Sequence, residues 1–155
     1  VDHRNFDRVS GYIDDAVARG AEMISIGDSD PERRILAPTL LLNVATDAAV
    51  MRHEIFGPVL PVLDFTEMST VTAWLQDNDK PLAMYVFGRD HDVIENILAA
   101  TSSGGVTING WALHFADFRL PFGGIGASGM GRYHGVHGFR ELSHARSVAS
   151  AQTTV

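Results

Sequence analysis

The sequence predicts an α/β fold with parallel strand pairing. Two observations carry the prediction. From residue 59 to 109, short apolar runs of strand character alternate with runs of helical periodicity, in the order strand, helix, strand, helix, strand. Upstream of them, a helical stripe is followed by two further strand-like runs.

Taken in order, Phe6, Val9, Ile13, Ala16 and Val17 recur at helical spacing, and Gly20 is the expected stop. Glu22 to Ile26 reads as a short strand, and Gly27-Asp28-Ser29-Asp30-Pro31 as a turn. Ile35 to Val44 reads as a buried strand, with Pro38 pushing part of it to an edge. Val59 to Phe65 is the next strand. Thr66 is placed to cap a helix in which Met68, Val71, Trp74 and Leu75 share a face. Leu82 to Phe87 is a strand, and Asp90 caps a helix with Val93, Ile94, Ile97 and Leu98 on its apolar side. Gly104-Gly105 ends that helix, and Val106 to Asn109 is the last strand of the series. Residues 121 to 138 hold seven glycines in eighteen positions, which predicts an irregular path with close approaches and no packed helix. The uncharged tail from Ser147 to Val155 reads as a strand seeking a partner or as a frayed end.

Composition narrows the function classes. The 155 residues suit one domain, and 45% apolar with 20% charged residues is ordinary for a globular protein. A net charge of -7 leaves no basic excess to neutralise phosphates, which argues against nucleic acid as a partner. The longest apolar stretch, Ile35 to Leu42, is too short to span a membrane. The absence of cysteine rules out a disulfide framework and fits the cytoplasm. Opening on Val1 in a polar run suggests a cut boundary.

Several motifs invite readings that their context rejects. Gly124-Ile125-Gly126-Ala127-Ser128-Gly129 matches the dinucleotide fingerprint by letter. That fingerprint needs a strand before it and a helix after it, whereas Pro121 precedes this match and Gly131 would break a helix begun after it. His134, His137 and His144 suggest a metal. No cysteine joins them, and the intervening glycines give no helical face, so no metal site is expected. Arg132, Arg140 and Arg146 read as helix caps or partners of local acids such as Glu141. Trp111, Phe115, Phe118 and Phe122 read as core packing for at least half of them, with an apolar substrate wall as the functional reading. No Gly-x-Ser-x-Gly elbow supports a hydrolase.

Glu54-Ile55-Phe56-Gly57-Pro58, followed by Val59-Leu60-Pro61-Val62, is the most informative segment. A carboxylate accepts both hydroxyls of a ribose at once, a neighbouring Phe holds a sugar or nicotinamide by contact, and Gly-Pro fixes the turn that presents both. This segment resembles the cofactor-ribose motif of aldehyde dehydrogenases. Leu120-Pro121-Phe122-Gly123-Gly124 through Ala127-Ser128-Gly129-Met130-Gly131 resembles the C-terminal loop of that family. The continuation Tyr133-His134-Gly135, Gly138-Phe139-Arg140 and Leu142-Ser143-His144 with Arg146 is similar to the class 3 branch, and within it to coniferyl aldehyde dehydrogenases. The likeness runs from about Phe6 to Val148.

The resemblance implies the C-terminal half of a catalytic domain: a mostly parallel sheet with flanking helices over residues 1–146, and a C-terminal oligomerisation strand or tail over 147–155. It implies oxidation of aldehydes, of aromatic coniferyl type, to acids with NAD or NADP, through a cysteine thiohemiacetal. The nucleophile and the base would lie outside these residues, so no catalytic residue is assigned and the chain alone is expected to be inactive. Glu54 matches the carboxylate on the nicotinamide ribose and Phe56 the aromatic beside it. Asn109, Trp111, His114 and Phe122 match the substrate side. A cytoplasmic homo-oligomer, a dimer or higher, is implied. His53 stands where the family usually has a second Glu, and Gly110-Trp111 replaces the commoner Asp-aliphatic pair. The competing expectation is a naturally short, non-catalytic relative that acts as an interaction or nucleotide-binding module.

Overall fold

A computed structural model describes residues 2–151. The chain divides into two compact units, Val1–Thr66 and Glu67–Val155. Each holds its own sheet.

The first unit opens with helix α1 (His3–Ala18). Asp2 caps it, its carboxylate accepting from the Asn5 N–H at 2.7 Å. Phe6, Val9, Ile13 and Ala16 are buried as the spacing predicts, while Val17 stays exposed. Gly20, at φ +99°, follows the helix. Strands β1 (Glu22–Ser25), β2 (Thr39–Leu42) and β3 (Val59–Val62) form a sheet in that order. β1 runs antiparallel and β3 parallel to the central β2. The short helix α2 (Ala49–Arg52) lies between β2 and β3 in the chain and packs on α1.

The core of this unit is Val9, Ile13 and Ala16 of α1 against Leu41, Val44, Val50 and Val59. Leu41 and Val9 are fully buried, and each such side chain contributes about 1.5–3 kcal/mol. Asp15 ties α1 to the start of α2: it accepts from the Ala49 N–H at 2.8 Å and from Arg19 at 2.9 Å. The backbone N–H of Ala49, and then Arg19, hold the Asp15 carboxyl below its ordinary pKa.

The strand expected over Ile35 to Val44 is reduced to four residues in the centre of the sheet, not at an edge. Pro38 sits just before it, where the missing N–H costs no ladder bond, and Ile35 instead bridges Asp30 across the turn.

The second unit alternates helix α3 (Met68–Asp77), β4 (Ala83–Val86), helix α4 (His91–Ala100) and β5 (Gly105–Ile108). β4 and β5 pair in parallel across the α4 crossover. Asp90 caps α4 as expected, accepting from the Val93 N–H at 3.1 Å, and Ile94 and Ile97 are buried.

Three expectations are corrected. Glu67, not Thr66, occupies the N-cap of α3, and its side chain makes no capping bond. α4 ends at Ala100, with Thr101 bonding back to Ile97 at 2.7 Å, so Gly104-Gly105 does not end the helix but opens β5. A Cβ on Gly104 would collide with the carbonyl oxygens of Leu82 and Gly123, so glycine is required where the strand begins. The glycine-rich stretch yields the seven-residue helix α6 (Gly135–Glu141) at its end, where no helix was expected.

Helix α5 (Leu113–Ala116) and a 3-10 turn at Gly126–Ser128 complete the second unit. Residues 147–151 lie in no helix or strand, and the remainder of the tail, 152–155, falls outside the described residues. Among the described residues no helix is long and apolar enough to cross a membrane.

Candidate functional site

The Glu54–Pro58 segment is the loop that leads from α2 into β3. Its backbone is fastened from α1. Arg8 reaches across with its planar fork: Nη1 donates to the Glu54 carbonyl at 3.0 Å and Nη2 to the Ile55 carbonyl at 2.7 Å. Asn5 Nδ2 donates to the Phe56 carbonyl at 3.4 Å. Three successive carbonyls are thus held by one turn of a helix some fifty residues upstream.

Arg8 is itself braced. Its Nε donates to Asn5 Oδ1 at 3.1 Å and its Nη1 to Tyr12 Oη at 3.1 Å, with the guanidinium 5.1 Å from the Tyr12 ring centroid. The same ring stacks on His53, 5.9 Å between centroids, so His53 closes the near end of the loop. At the far end, the Pro58 carbonyl accepts from the Thr39 N–H at 2.9 Å. Gly57 allows α1 to approach: a Cβ there would stand 3.0 Å from Val9 Cγ1.

What the loop presents is unusual for so well anchored a backbone. Phe56 takes a left-handed φ of +46° and leaves its ring 76% exposed. The Glu54 side chain is exposed and enters none of the ion pairs among the described residues. The backbone is thus fixed while a carboxylate and an aromatic side chain are left facing solvent on the same loop.

The second group of residues follows β5. Asn109, at φ +50°, exchanges two hydrogen bonds with Gly88, and its own N–H bonds the Val86 carbonyl at 2.9 Å. Its amide therefore holds the exit of β5 against the segment after β4. Trp111 is 78% exposed on the turn that leads into α5.

His114 is buried. Its N–H donates to Thr107 Oγ1 at 3.2 Å, and its Nδ1 lies 2.6 Å from that same oxygen. The Thr107 hydroxyl thus accepts from the His114 backbone and shares one hydrogen bond with the ring, whose donor is set by the ring tautomer. Nε2 is buried without a hydrogen-bond partner, as is Nδ1 of His134. His114 and Thr107 form part of the wall of an open recess of about 710 Å³, whose rim carries the Asp117–Arg119 ion pair.

Phe122 joins the parts. Its ring lies 6.2 Å from His114, 5.7 Å from His134 and 5.1 Å, edge-on, from Phe115. Its backbone bridges Tyr133, with N–H to carbonyl distances of 3.0 and 2.9 Å. Between these bridge partners the glycine run closes on itself. Arg132 holds the Gly124 carbonyl and, at 2.8 Å, the Gly131 carbonyl, which is the use this structure makes of an arginine there. No strand and helix flank Gly124–Gly129, so the letter match to the dinucleotide fingerprint lacks its structural context.

The aromatic run is less buried than core packing predicts: Trp111, Phe115 and Phe118 are all exposed, and only Phe122 is half-buried. Among the described residues no group of three acidic or histidine side chains stands ready to hold a metal ion. Asn5, Arg8 and Tyr12 carry no motif that marks them in the sequence. Their spacing does place them on one flank of α1, beside the buried stripe.

The first unit thus holds a clamped loop that offers a carboxylate and an aromatic, and the second an aromatic–glycine loop, each on an α/β scaffold. The model of the aldehyde dehydrogenase family matches residues 1–148, and the chain belongs to that family.

A "Probable coniferyl aldehyde dehydrogenase" of Caulobacter vibrioides is 47% identical over 96% of this chain and 32% of its own length. The "Aldehyde dehydrogenase, dimeric NADP-preferring" of Rattus norvegicus is 43% identical over 95% of this chain and 31% of its own. Among solved structures, a P. syringae indole-3-acetaldehyde dehydrogenase in complex with NAD+ superposes with a TM-score of 0.82 at 27% identity. It covers 95% of this chain and 30% of that one. The chain spans about a third of the length of the curated relatives it matches.

Proposed function

We propose that this chain works as the C-terminal portion of an NAD(P)-dependent aldehyde dehydrogenase that oxidises aromatic, coniferyl-type aldehydes to carboxylic acids. The observation that carries the reading is the Glu54–Phe56 loop, where the backbone is clamped by Arg8 and Asn5 while both side chains face solvent. Preorganisation of this kind lowers the ordering cost of binding.

In this reading the Glu54 carboxylate accepts the two hydroxyls of the nicotinamide ribose and Phe56 lies against the ring side. NAD or NADP held there would supply the hydride acceptor for aldehyde oxidation. Asn109, Trp111, His114 and Phe122 belong to the substrate side. Asn109 sets the exit of β5, His114 and Phe122 pack the floor, and Trp111 supplies the exposed apolar surface. The 47% identity to a coniferyl-named relative supports the aromatic substrate, and the rat and P. syringae names support a nicotinamide cofactor.

Residues 1–146 act as part of the catalytic domain and 147–155 as an oligomerisation segment. The assembly is a cytoplasmic homo-oligomer, in keeping with the relative named as dimeric. The 155 residues by themselves contain no thiol and are inactive.

The test measures NAD(P)H formation with coniferaldehyde, benzaldehyde and hexanal. Two proteins are compared: the 155-residue chain and the longest reading frame that carries it. Aldehyde-dependent reduction by the longer protein alone is expected. Turnover by the purified short chain, or none by either, overturns the reading; the second result favours a non-catalytic relative.

A further inference from the structure

We infer that Arg8 is a positioning residue for the cofactor loop, acting through Glu54 and Phe56 without touching the cofactor itself; the inference rests on the ribose reading of Glu54. The geometry is specific. Two nitrogens of one guanidinium donate to the adjacent carbonyls of Glu54 and Ile55, at 3.0 and 2.7 Å. Adjacent carbonyls of an extended segment point to opposite sides. A single donor group can satisfy both only where the chain bends, and the bend here is completed by the left-handed Phe56.

That conformation is unfavourable for a non-glycine residue and persists where the surroundings over-determine it. Arg8 and Asn5 supply the determination from outside the loop. Arg8 is held for the task by Asn5 and Tyr12, and half-buried between helix and loop. Its guanidinium is not free to pair with an anion: its five N–H donors face five hydrogen bonds to protein oxygens.

The consequence is functional. The carboxylate of Glu54 and the ring of Phe56 leave the backbone at the two residues this clamp orients. Without it the loop samples other bends, and the carboxylate meets the ribose in only a fraction of them. The apparent cofactor affinity falls by that fraction. Lysine cannot substitute fully, because an ammonium is a point donor without the planar fork.

The experiment measures the NAD(P)+ dissociation constant in the longer protein that carries this chain, for Arg8→Met, Arg8→Lys, Glu54→Gln and the double variants. Arg8→Met is expected to weaken binding about tenfold and Arg8→Lys by less, as the competent fraction falls. In the Glu54→Gln background the Arg8 substitutions are expected to cost clearly less than in the wild type, because one of the two groups Arg8 acts through is already lost and only the Phe56 part remains. Should Arg8→Met fail to fold, Arg8→Lys keeps the charge and stem and carries the same test.

Weak binding in Glu54→Gln with wild-type binding in the Arg8 variants would overturn the positioning role and leave the ribose reading standing. Equal Arg8 losses in both backgrounds would also overturn it, by showing general support of the fold. Wild-type binding in Glu54→Gln would overturn the ribose reading, and the inference with it.

Discussion

The side-chain amide of Asn109 closes a two-way ring with the backbone of Gly88. Its Nδ2 donates to the Gly88 carbonyl and its Oδ1 accepts from the Gly88 N–H, each at 2.8 Å. This extends the parallel β4–β5 ladder by one side chain acting as a strand backbone. Asn109→Ala removes both bonds and leaves a Cβ residue at φ +50°, so it should lower stability by about 1–3 kcal/mol. Asn109→Gly loses the bonds and relieves the backbone. Urea unfolding of both variants separates the two contributions. Equal midpoints for Ala and wild type would show that the ring contributes nothing.

Gly104 allows no side chain. A Cβ there meets two backbone carbonyls, those of Leu82 and Gly123, and neither can rotate aside as a side chain would. Gly104→Ala should therefore destabilise by more than the roughly 1 kcal/mol of an ordinary point change, through displacement of β5 from β4 or of the glycine run from β5. Gly11→Ala is the control, since nothing lies within 4 Å of a Cβ on that exposed helical position. A Gly104→Ala protein with an unchanged unfolding midpoint would contradict the geometry.

What the sequence disclosed and what it hid divide by range. Asp90 is readable as a cap because its partner, the Val93 N–H, is three residues away. The stripe Phe6, Val9, Ile13 and Ala16 is readable because a helix repeats its buried face locally. The α/β class follows from such local signals in order, while the family follows from the resemblance of the Glu54–Pro58 and Leu120–Gly131 motifs, and the match over residues 1–148 bears it out. The Arg8 clamp is not readable, because its partners lie 46 and 47 positions away and are backbone atoms that carry no residue-specific signal. Helices α2 and α5 have four residues each, too few to show a period. α6 is obscured by Gly135 and Gly138; Gly135, at φ +48°, stands where a Cβ would lie 2.8 Å from the Phe118 carbonyl oxygen, so the glycine there serves a close approach. Of the candidate site, the sequence marks Glu54 and Phe56 on one loop, and names His114 and Phe122 separately; that their rings lie 6.2 Å apart is visible only in the structure. The buried, unpartnered ring nitrogens of His114 and His134 depend on contacts between distant segments.

Asp117 titrates low. The Arg119 guanidinium donates to its carboxylate at 2.6 and 2.8 Å and the Arg119 N–H at 3.0 Å, and together they draw its pKa from 3.8 to about 2. A carboxyl with a depressed folded pKa contributes stability that is fully present above its unfolded value. That contribution is lost as pH falls from about 3.8 through about 2. Carbon-13 titration of the Asp117 carboxyl should give a midpoint near 2, and Arg119→Gln should return it toward the ordinary range. Coincident curves in the two proteins would remove the ion pair as the cause of the low pKa.

The sheet of the first unit carries an apolar row on its outward side. Register places Ile24 of β1 opposite Leu40 of β2, and Leu40 opposite Leu60 of β3. Leu41, on the other side of β2, is fully buried, whereas Ile24, Leu40 and Leu60 are 43%, 37% and 58% exposed. Three aliphatic side chains in cross-strand contact make a continuous strip, and covering each contributes up to about 1.5–3 kcal/mol. The purified chain is therefore expected to self-associate through this side of the sheet. Leu60 is the most exposed of the three and sits on β3, at one edge of the three-strand order. Leu60→Lys places a charge in the strip without disturbing Val59, which faces the core, so it should raise the monomer fraction while leaving the unfolding midpoint close to wild type. Light scattering across a concentration series measures the effect. If association persists undiminished in Leu60→Lys, the contact lies elsewhere on the chain; a wild-type chain that stays monomeric at high concentration in low salt removes the prediction altogether.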